Sequence, residues 1–287
     1  MYIRADFHQH LQQSPNFSTV SFNKIIDLTR KSLCQDRYPG MLGLVNFQDT
    51  AREDHRYEQF INLLGYDRQN LNRAIQVKGN PPLWIIKVQE IPLIHEDQEV
   101  HVLAIGIPEK KQIKPRMNLQ DTMKAIQDLE GILVWDHPFS TAGIGKHLNN
   151  HYVEEEILSQ TDALEIYNGL LDRWIPGIVP SRSNKKAINY YRTKHQRYPH
   201  LGALAGSDGQ TITALKNPSY TDLYFQGDLT KLTGIDFINE VRERIRAHRF
   251  MPEKTVSQPR SEVLKHAFGI IKEEGLGKTL KRYFIRS

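Results

Sequence analysis

Two histidines near the start of the chain have the spacing of a metal-binding pair. His8 and His10 lie two residues apart in an extended apolar segment, and residues two apart in a strand point to the same side. Both imidazoles can therefore bind one ion. Two polar residues on the exposed face of a surface strand have the same spacing. The metal-binding interpretation of His8 and His10 therefore depends on other ligand-type residues in the chain.

Further ligand-type residues occur where short apolar segments begin or end. Imidazole and carboxylate together are ligands for zinc, manganese or iron, and one carboxylate can bridge two ions. In an α/β barrel, the carboxyl ends of the strands converge on one rim. We therefore expect these side chains to meet in one cleft. They are Glu90, His101, His137 and Asp208.

The hydrophobic pattern predicts the elements that would position these residues. Apolar runs alternate with segments of helical period, which is typical of repeated β-then-α units. Predicted strands cover residues 2–7, 41–47, 83–90, 100–107, 132–135, 163–167 and 201–205. Predicted helices cover residues 23–32, 52–64, 118–130, 152–159, 184–195 and 236–248. No helix separates the third and fourth strands, so we expect them to form an antiparallel hairpin.

Composition excludes several classes of protein. The chain has 287 residues, one cysteine and a net charge of +5, so disulfides do not stabilise it, and disordered or fibrous classes are excluded. It has neither an apolar run of membrane-spanning length nor a secretion signal, which predicts a soluble, cytoplasmic protein without a membrane partner. We expect a barrel domain over residues 1–251 and a helical tail over residues 252–287 that packs on it.

The ordered set of motifs resembles the PHP (polymerase and histidinol phosphatase) family of metal-dependent phosphoesterases. Asp6 to His10 is similar to its first motif, and Glu90 with His101 to the glutamate and histidine that follow. His137 with Pro138, residues 164–169 and residues 206–208 are similar to its later motifs. The resemblance implies a distorted seven-stranded (β/α)7 barrel with metal ions at one rim.

Carried over by position, the resemblance implies two ion sites that share Glu90. His8, His10, Glu90 and Asp208 would hold one divalent ion, and Glu90, His101 and His137 the second. A third ion bound by some family members would need histidines where this chain has Asn16, Gln48 and Gln210. Carboxamides are weak ligands for transition metals, so we expect two ions (Zn, Mn or Fe) rather than three.

The expected chemistry is hydrolysis of a phosphate ester by a metal-bridging hydroxide. Glu90, Asp208 and His137 are the predicted catalytic residues, and Asp6 is expected to lie beneath His8 and to orient an imidazole. The substrate is expected to be a small phosphorylated molecule. Its predicted binding residues lie at the same rim: Asn168 at the end of the sixth predicted strand, and Lys146, Arg173 and Arg182 on loops.

Three alternatives remain open on the sequence alone. A metal-dependent amidohydrolase also begins with His-x-His, but usually adds a bridging lysine that we cannot place. A regulatory module would keep the fold and a metal without catalysis. A nuclease would need a basic, aromatic-lined groove, and the basic residues here are spread along the chain, so nucleic acid is possible but not supported. Cys34 lacks a histidine nearby in sequence and is not expected to be a nucleophile.

Overall fold

The structure, a computed structural model, describes residues 1–11, 19–49, 52–53, 55–63, 68–70, 72–148, 151–171, 182–249, 252 and 254–258. Eleven strands lie in these ranges: β1 Tyr2–Gln9, β2 Gly40–Asp49, β3 Arg52–Glu53, β4 Arg68–Asn70, β5 Ala74–Val77, β6 Leu83–His95, β7 Gln98–Ile105, β8 Ile132–Trp135, β9 Ala163–Asn168, β10 Gly202–Gly206 and β11 Thr221–Tyr224. The α-helices in the same ranges are α1 Thr19–Leu33, α2 Arg56–Leu63, α3 Leu119–Asp128, α4 His151–Gln160, α5 Ser183–Lys194 and α6 Gly234–Ala247.

Eight of the strands follow one another along one curved sheet in the order β10-β9-β8-β7-β6-β2-β1-β11, and β3, β4 and β5 are attached to its side. The strands β1, β2 and β6 run parallel, as do β8, β9 and β10, whereas β7 is antiparallel to both of its neighbours. The sheet nearly closes on itself, because the backbone N–H of His10 donates to the carbonyl of Gly209 just after β10 at 3.0 Å. The predicted distorted barrel is confirmed, and all seven predicted strands belong to this sheet.

The two faces of the sheet pack against different partners. A single buried cluster inside the barrel contains residues of α6 and the alternate residues on one face of β2, β6, β7, β8, β9 and β10. The opposite parity packs outward against helices, as Leu133 and Trp135 of β8 do. This alternation is the pleat of the strand, and it determines which residues above the core face the site.

The predicted hairpin between β6 and β7 is confirmed. Its turn places Glu96 and Asp97 at φ values of +47° and +60°, the pair of positive φ angles that matches the twist of two-residue hairpins. The register pairs Pro92 with His101 and Glu90 with Leu103. His101 and Glu90 are therefore diagonal neighbours on the inner face, close enough for their side chains to meet.

The structure corrects some predicted boundaries. The second predicted helix was expected from Arg52, but Arg52–Glu53 pairs with β2 as the short strand β3, and α2 begins at Arg56. Strand β6 continues five residues beyond Glu90, to His95. The short strands β3, β4, β5 and β11 were not predicted.

No helix in the described ranges combines the length and the apolar character that crossing a lipid bilayer requires. Of the predicted helical tail, residues 252 and 254–258 are described, and residues 259–287 lie outside the described part of the chain. Within the described part, Lys254 pairs with Tyr220 as an isolated antiparallel bridge, and the N–H of Gln258 donates to Gly169 O at 2.8 Å. The tail thus begins as an extended segment against the barrel.

Candidate metal centre

Interior positions of several strands carry polar residues directly above the barrel core. Glu90 follows Val88 at the same parity, and His101 precedes Leu103. Glu165 continues the parity of Ala163 on the neighbouring part of the sheet. These side chains are buried and converge on one rim, as the location of active sites in α/β barrels leads one to expect.

A β-bulge in β1 turns His8 and His10 toward this interior. Asp6 pairs with Leu42 and Gln9 with Leu44, so β1 has one more residue than β2 between these two pairs. An extra residue of this kind reverses the strand alternation beyond it. His8 and His10 consequently face each other across the site, with their Nε2 atoms 3.0 Å apart.

The same bulge contradicts the role expected of Asp6. Its side chain lies on the face shared with Gln9, whose Nε2 donates to Asp6 Oδ2 at 2.7 Å. Ser207 Oγ also donates to Oδ2, at 2.6 Å, and the His8 N–H donates to Oδ1 at 3.2 Å. Asp6 therefore ties the end of β1 to the end of β10 instead of orienting an imidazole ring. Burial raises its pKa to about 6.

Glu90 lies at the centre of the histidines. Its Oε2 is 2.9 Å from His10 Nε2, whereas its Oε1 is 2.5 Å from His101 Nδ1 and 3.6 Å from His137 Nε2. The two oxygens of one carboxylate thus face two different groups of imidazoles. Glu90 therefore links the two groups of imidazoles through its two oxygens.

Asp208 approaches the His8 and His10 pair from the loop after β10. Its Oδ1 lies 3.5 Å from His10 Nε2 and 3.7 Å from His8 Nε2. Its backbone has a φ of +49°, a left-handed conformation that aspartate tolerates better than most residues. The structure therefore brings together all six predicted ligands: His8, His10, Glu90, His101, His137 and Asp208.

Of the three carboxamides expected in place of a third set of ligands, Gln210 is described. Its Nε2 donates to Asp208 Oδ1 at 2.7 Å, so it holds the Asp208 carboxylate in position. Asn16 and the side chain of Gln48 lie outside the described part of the protein. The prediction of an empty third site stays a prediction.

Two further carboxylates face the second nitrogen of His8. Glu165 Oε1 is 2.8 Å from His8 Nδ1, and Asp136 Oδ1 is 3.3 Å from the same atom. Glu165 Oε2 also accepts from the backbone N–H of His137 at 3.0 Å and from Asn168 Nδ2 at 2.9 Å. A carboxylate on Nδ1 holds the ring with Nε2 directed toward His10 and Glu90, as metal-binding histidines usually require.

Asp136 is the residue that the motif reading missed. It is 0% exposed, and its Oδ2 lies 3.0 Å from His137 Nε2. A signal was present, since Asp136 continues the parity of Ile132 and Val134 and so had to face the barrel interior.

The buried carboxylates and imidazoles of the site shift one another's pKa values. Burial alone would lower the pKa of His8, but Asp136, Glu165 and Asp208 raise it well above its usual value. Burial would raise the pKa of Glu90, but His101 and His10 hold it well below its usual value. Burial, together with Glu90 and Glu165, raises the pKa of Asp136. The carboxylates thus create a strong demand for positive charge.

The donor atoms fit divalent ions. In the described part of the chain, the ligand atoms of Glu90, His101, Asp136 and His137 lie within 4.8 Å of one another, and so do those of His8, His10 and Glu90. The two groups share Glu90. Imidazole nitrogen combined with carboxylate oxygen is the donor set of zinc, manganese and iron sites.

Gly206 makes room for this arrangement at the end of β10. A Cβ built on it would lie 1.9 Å from Glu165 Oε1 and 2.7 Å from the Cβ of His8. Both distances are far below van der Waals contact, so a side chain at this inward-facing position would push Glu165 away from His8.

An aromatic ring forms part of the wall of the site. Phe47, at the end of β2, pairs in register with Glu90. Its ring centroid lies 6.1 Å from that of His10 and 5.7 Å from that of His101. Phe47 is partly exposed. Its ring therefore forms an apolar part of the wall beside the two groups of imidazoles. Phe47 was not among the predicted site residues.

The predicted substrate-binding residues have different surroundings. Asn168 is buried and donates to Glu165 and, at 3.2 Å, to Asp208 Oδ2. Lys146 is exposed, and its N–H donates to Pro138 O at 3.1 Å, next to His137. Arg182 is exposed and precedes Ser183, whose Oγ donates to Phe139 O at 3.1 Å. Arg173 lies outside the described residues.

Comparison with solved structures shows similarity of fold at low sequence identity. The lesion-specific endonuclease PfuEndoQ from Pyrococcus furiosus superposes with a TM-score of 0.53 at 13% identity, over 86% of this chain and 56% of that one. Endonuclease Q in complex with a 27-mer duplex carrying an abasic lesion gives a TM-score of 0.52 at 13% identity, over 86% and 57% of the two chains. The present chain thus spans little more than half the length of these endonucleases.

PsfC from Pseudomonas syringae PB-5123 matches over 95% of this chain and 98% of its own, with a TM-score of 0.53 at 13% identity. These likenesses establish a shared fold. No protein-family model matches the sequence, and the search among curated proteins found no match.

Proposed function

We propose that this chain is a PHP-type phosphoesterase that hydrolyses a phosphate ester at a site for two divalent ions. The observation that carries the proposal is Glu90. Its two buried oxygens face two separate groups of histidines, at 2.9 Å from His10 Nε2 and at 2.5 Å from His101 Nδ1. A carboxylate that two groups of histidines share is the donor that a two-metal phosphoesterase site would need.

The protein residues divide into two ligand groups in this proposal. One ion would be held by His8, His10, Glu90 and Asp208, and the other by Glu90, His101 and His137. When bound, the ions supply a nucleophile at neutral pH and neutralise charge on the phosphoryl oxygens. Glu90, Asp208 and His137 are then the catalytic residues, because they fix the ions against the reacting phosphate.

Other side chains position the ligands and the substrate. Glu165 holds His8 in the required orientation, and Asn168 holds both Glu165 and Asp208. The exposed cations Lys146 and Arg182, on loops tied to residues 138 and 139, would attract an anionic substrate to the rim. The apolar wall at Phe47 would contact the organic part of the ester.

The amidohydrolase alternative has less support. It would need a lysine between two ions, and Lys87 is the buried lysine on β6, the strand that carries Glu90. Lys87 lies on the outward parity, where its Nζ is 2.6 Å from Glu58 Oε1 and donates to the carbonyls of Glu109 and Lys111. It is therefore occupied away from the site.

A nucleic acid is the second candidate substrate. The fold shared with an endonuclease that acts on DNA with an abasic lesion supports it, and so does the net charge of +5. Both the small ester and the nucleic acid are phosphate esters, so the same ion site would serve either. The test therefore includes both.

The experiment combines metal analysis of the purified protein with a hydrolysis screen in added manganese or zinc. The substrates are nitrophenyl phosphate mono- and diesters and a DNA duplex that carries an abasic site. We expect two ions per chain and turnover of at least one substrate. Less than one ion per chain, together with no turnover in either metal, would contradict the proposal.

Glu90→Gln supplies the matched variant. It keeps the size of the side chain and removes the charge that both ion groups share. We expect loss of both ions and of nearly all activity. Retention of two ions and of activity would show that Glu90 does not bridge.

A further inference from the structure

Asp136 is a fully buried carboxylate without a conventional hydrogen bond. Among the residues that the structure describes, no donor forms a hydrogen bond of acceptable geometry with Oδ1 or Oδ2, and the side chain is 0% exposed. Buried polar groups are almost always paired, and an unpaired buried charge is far more costly than an unpaired neutral group. The nearest cationic groups are two imidazoles, with His137 Nε2 3.0 Å from Oδ2 and His8 Nδ1 3.3 Å from Oδ1. A metal ion within this cluster would give the carboxylate a direct partner.

The backbone at this point directs two consecutive residues into one site. Asp136 continues the inward parity of Val134, so simple strand alternation would turn His137 outward. His137 instead has a φ of +27°, a rarely populated conformation for a residue with a side chain. This bend brings His137 Nε2 within 3.0 Å of Asp136 Oδ2. Strained backbone of this type is characteristic of functional sites.

We propose that Asp136 is a direct ligand of the ion held by Glu90, His101 and His137, which makes that site a set of two imidazoles and two carboxylates. The inference rests on the proposed function and specifies one of its two ion sites. The four donor atoms lie within 4.8 Å of one another. Carboxylate and imidazole in equal number suit Mn²⁺ or Fe²⁺.

The position of Asp136 also limits where else its charge could be balanced. Glu90, Glu165 and Asp208 are buried around the same site, so the four carboxylates repel one another. His8 is already held by Glu165 at 2.8 Å, closer than the 3.3 Å to Asp136. A divalent ion beside Asp136 Oδ2 balances more negative charge than one shared imidazole. The competing explanation is a neutral Asp136 that shares its proton with Glu165.

A cysteine at this position gives a positive test. Asp136→Cys protein is loaded with Co²⁺, and its near-ultraviolet absorption is compared with that of Co²⁺-loaded wild type. Thiolate ligation of Co²⁺ produces a sulfur-to-metal charge-transfer band. The wild type controls for the single native cysteine, Cys34. We expect the band in the variant alone, and its absence at full Co²⁺ loading would overturn the proposal.

Asp136→Asn provides an independent measurement in a side chain of equal size. We expect one of the two Mn²⁺ affinities to fall by at least about 100-fold, beyond the range usual for loss of an indirect partner. Asp162→Asn is the matched control, because Asp162 is buried but bonds to Arg246 and to the N–H of Leu133 away from the site. Unchanged Mn²⁺ binding in Asp136→Asn would overturn the proposal.

The outcomes separate this inference from the proposed function. Wild type that binds two ions, with Asp136 variants that bind them equally well, contradicts the role of Asp136 alone. Wild type that binds no ion contradicts both. Two ions in the wild type, with one weakened by Asp136→Asn, supports both.

Discussion

Glu165 Oε1 lies 2.8 Å from His8 Nδ1, and this contact directs His8 Nε2 toward His10 and Glu90. The two residues are 157 positions apart in sequence and meet because the sheet nearly closes between β10 and β1, which brings the neighbouring strand β9 close to the end of β1. The pair fixes both the tautomer and the orientation of the imidazole. Metal-binding histidines are commonly held by a carboxylate in this way.

Glu165→Gln tests the importance of this contact. The amide keeps the size of the side chain but removes the negative charge of Glu165 that faces His8 Nδ1. We expect the affinity for the ion beside His8 to fall about 10- to 100-fold, with little change in far-ultraviolet circular dichroism. Calorimetric titration with Zn²⁺ or Mn²⁺ measures the change. Affinity equal to that of the wild type would show that the contact has no effect on ligation.

Gly206→Ala tests the space that Glu165 and His8 share. The added Cβ would collide with Glu165 Oε1 and with the Cβ of His8. We expect weaker metal binding and a loss of about 1–3 kcal/mol in the free energy of unfolding, the usual cost of overpacking. Chemical denaturation and metal titration measure the two effects.

Gly227→Ala is the control for this substitution. A Cβ at Gly227 would meet no atom within 4 Å, so stability and metal binding should stay near those of the wild type. A Gly206→Ala protein as stable as this control would show that the rim is more adaptable than the distances indicate.

The raised histidine pKa values predict opposite pH dependences with and without metal. The carboxylates raise the pKa of His8, His101 and His137 above 6.5 in the metal-free protein. The protonated pairs therefore stabilise the fold below pH 6.5, and this contribution is lost as the pH rises through the folded pKa. Metal affinity should instead rise over the same range, because ions displace these protons.

Denaturation of the metal-free protein and metal titrations across this pH range measure both trends. Metal affinity that does not change with pH would indicate that the imidazoles are not ligands.

Cys34 should be unreactive in the folded protein. Burial raises its pKa to about 11, so near pH 8 only about one thiol in a thousand is ionised. We expect alkylation by iodoacetamide to be much slower in the native protein than in denaturant, where the pKa returns to about 8.5. Equal rates in the two states would contradict the burial of this side chain.

Much of the fold was predictable because apolar periodicity reports burial directly. The seven predicted strands form the barrel, and the antiparallel fourth strand placed His101 correctly beside Glu90. The short strands β3 and β11 were not predictable from periodicity, because two to four residues are too few to show it. Arg52 was assigned to a helix because the residues that follow have helical period, but it pairs with β2 as part of β3.

The errors at the site arise from local backbone geometry. The bulge between Asp6 and Gln9 changes which side chains share a face, and no residue type in that segment indicates it. The bend at His137 is equally local, and it brings Asp136 and His137 to the same site. The six predicted ligands do come together, since each lies in or beside a strand whose direction the hydrophobic pattern defines.

The central claim is that Glu90 joins two ions, and electron paramagnetic resonance of the Mn²⁺-loaded protein tests it most directly. Two Mn²⁺ ions about 3.5–4 Å apart and linked by one carboxylate couple magnetically. We predict a coupled spectrum in the wild type at two ions per chain, and its loss in Glu90→Gln. A fully loaded wild-type protein that shows only the hyperfine pattern of isolated Mn²⁺ would contradict the account.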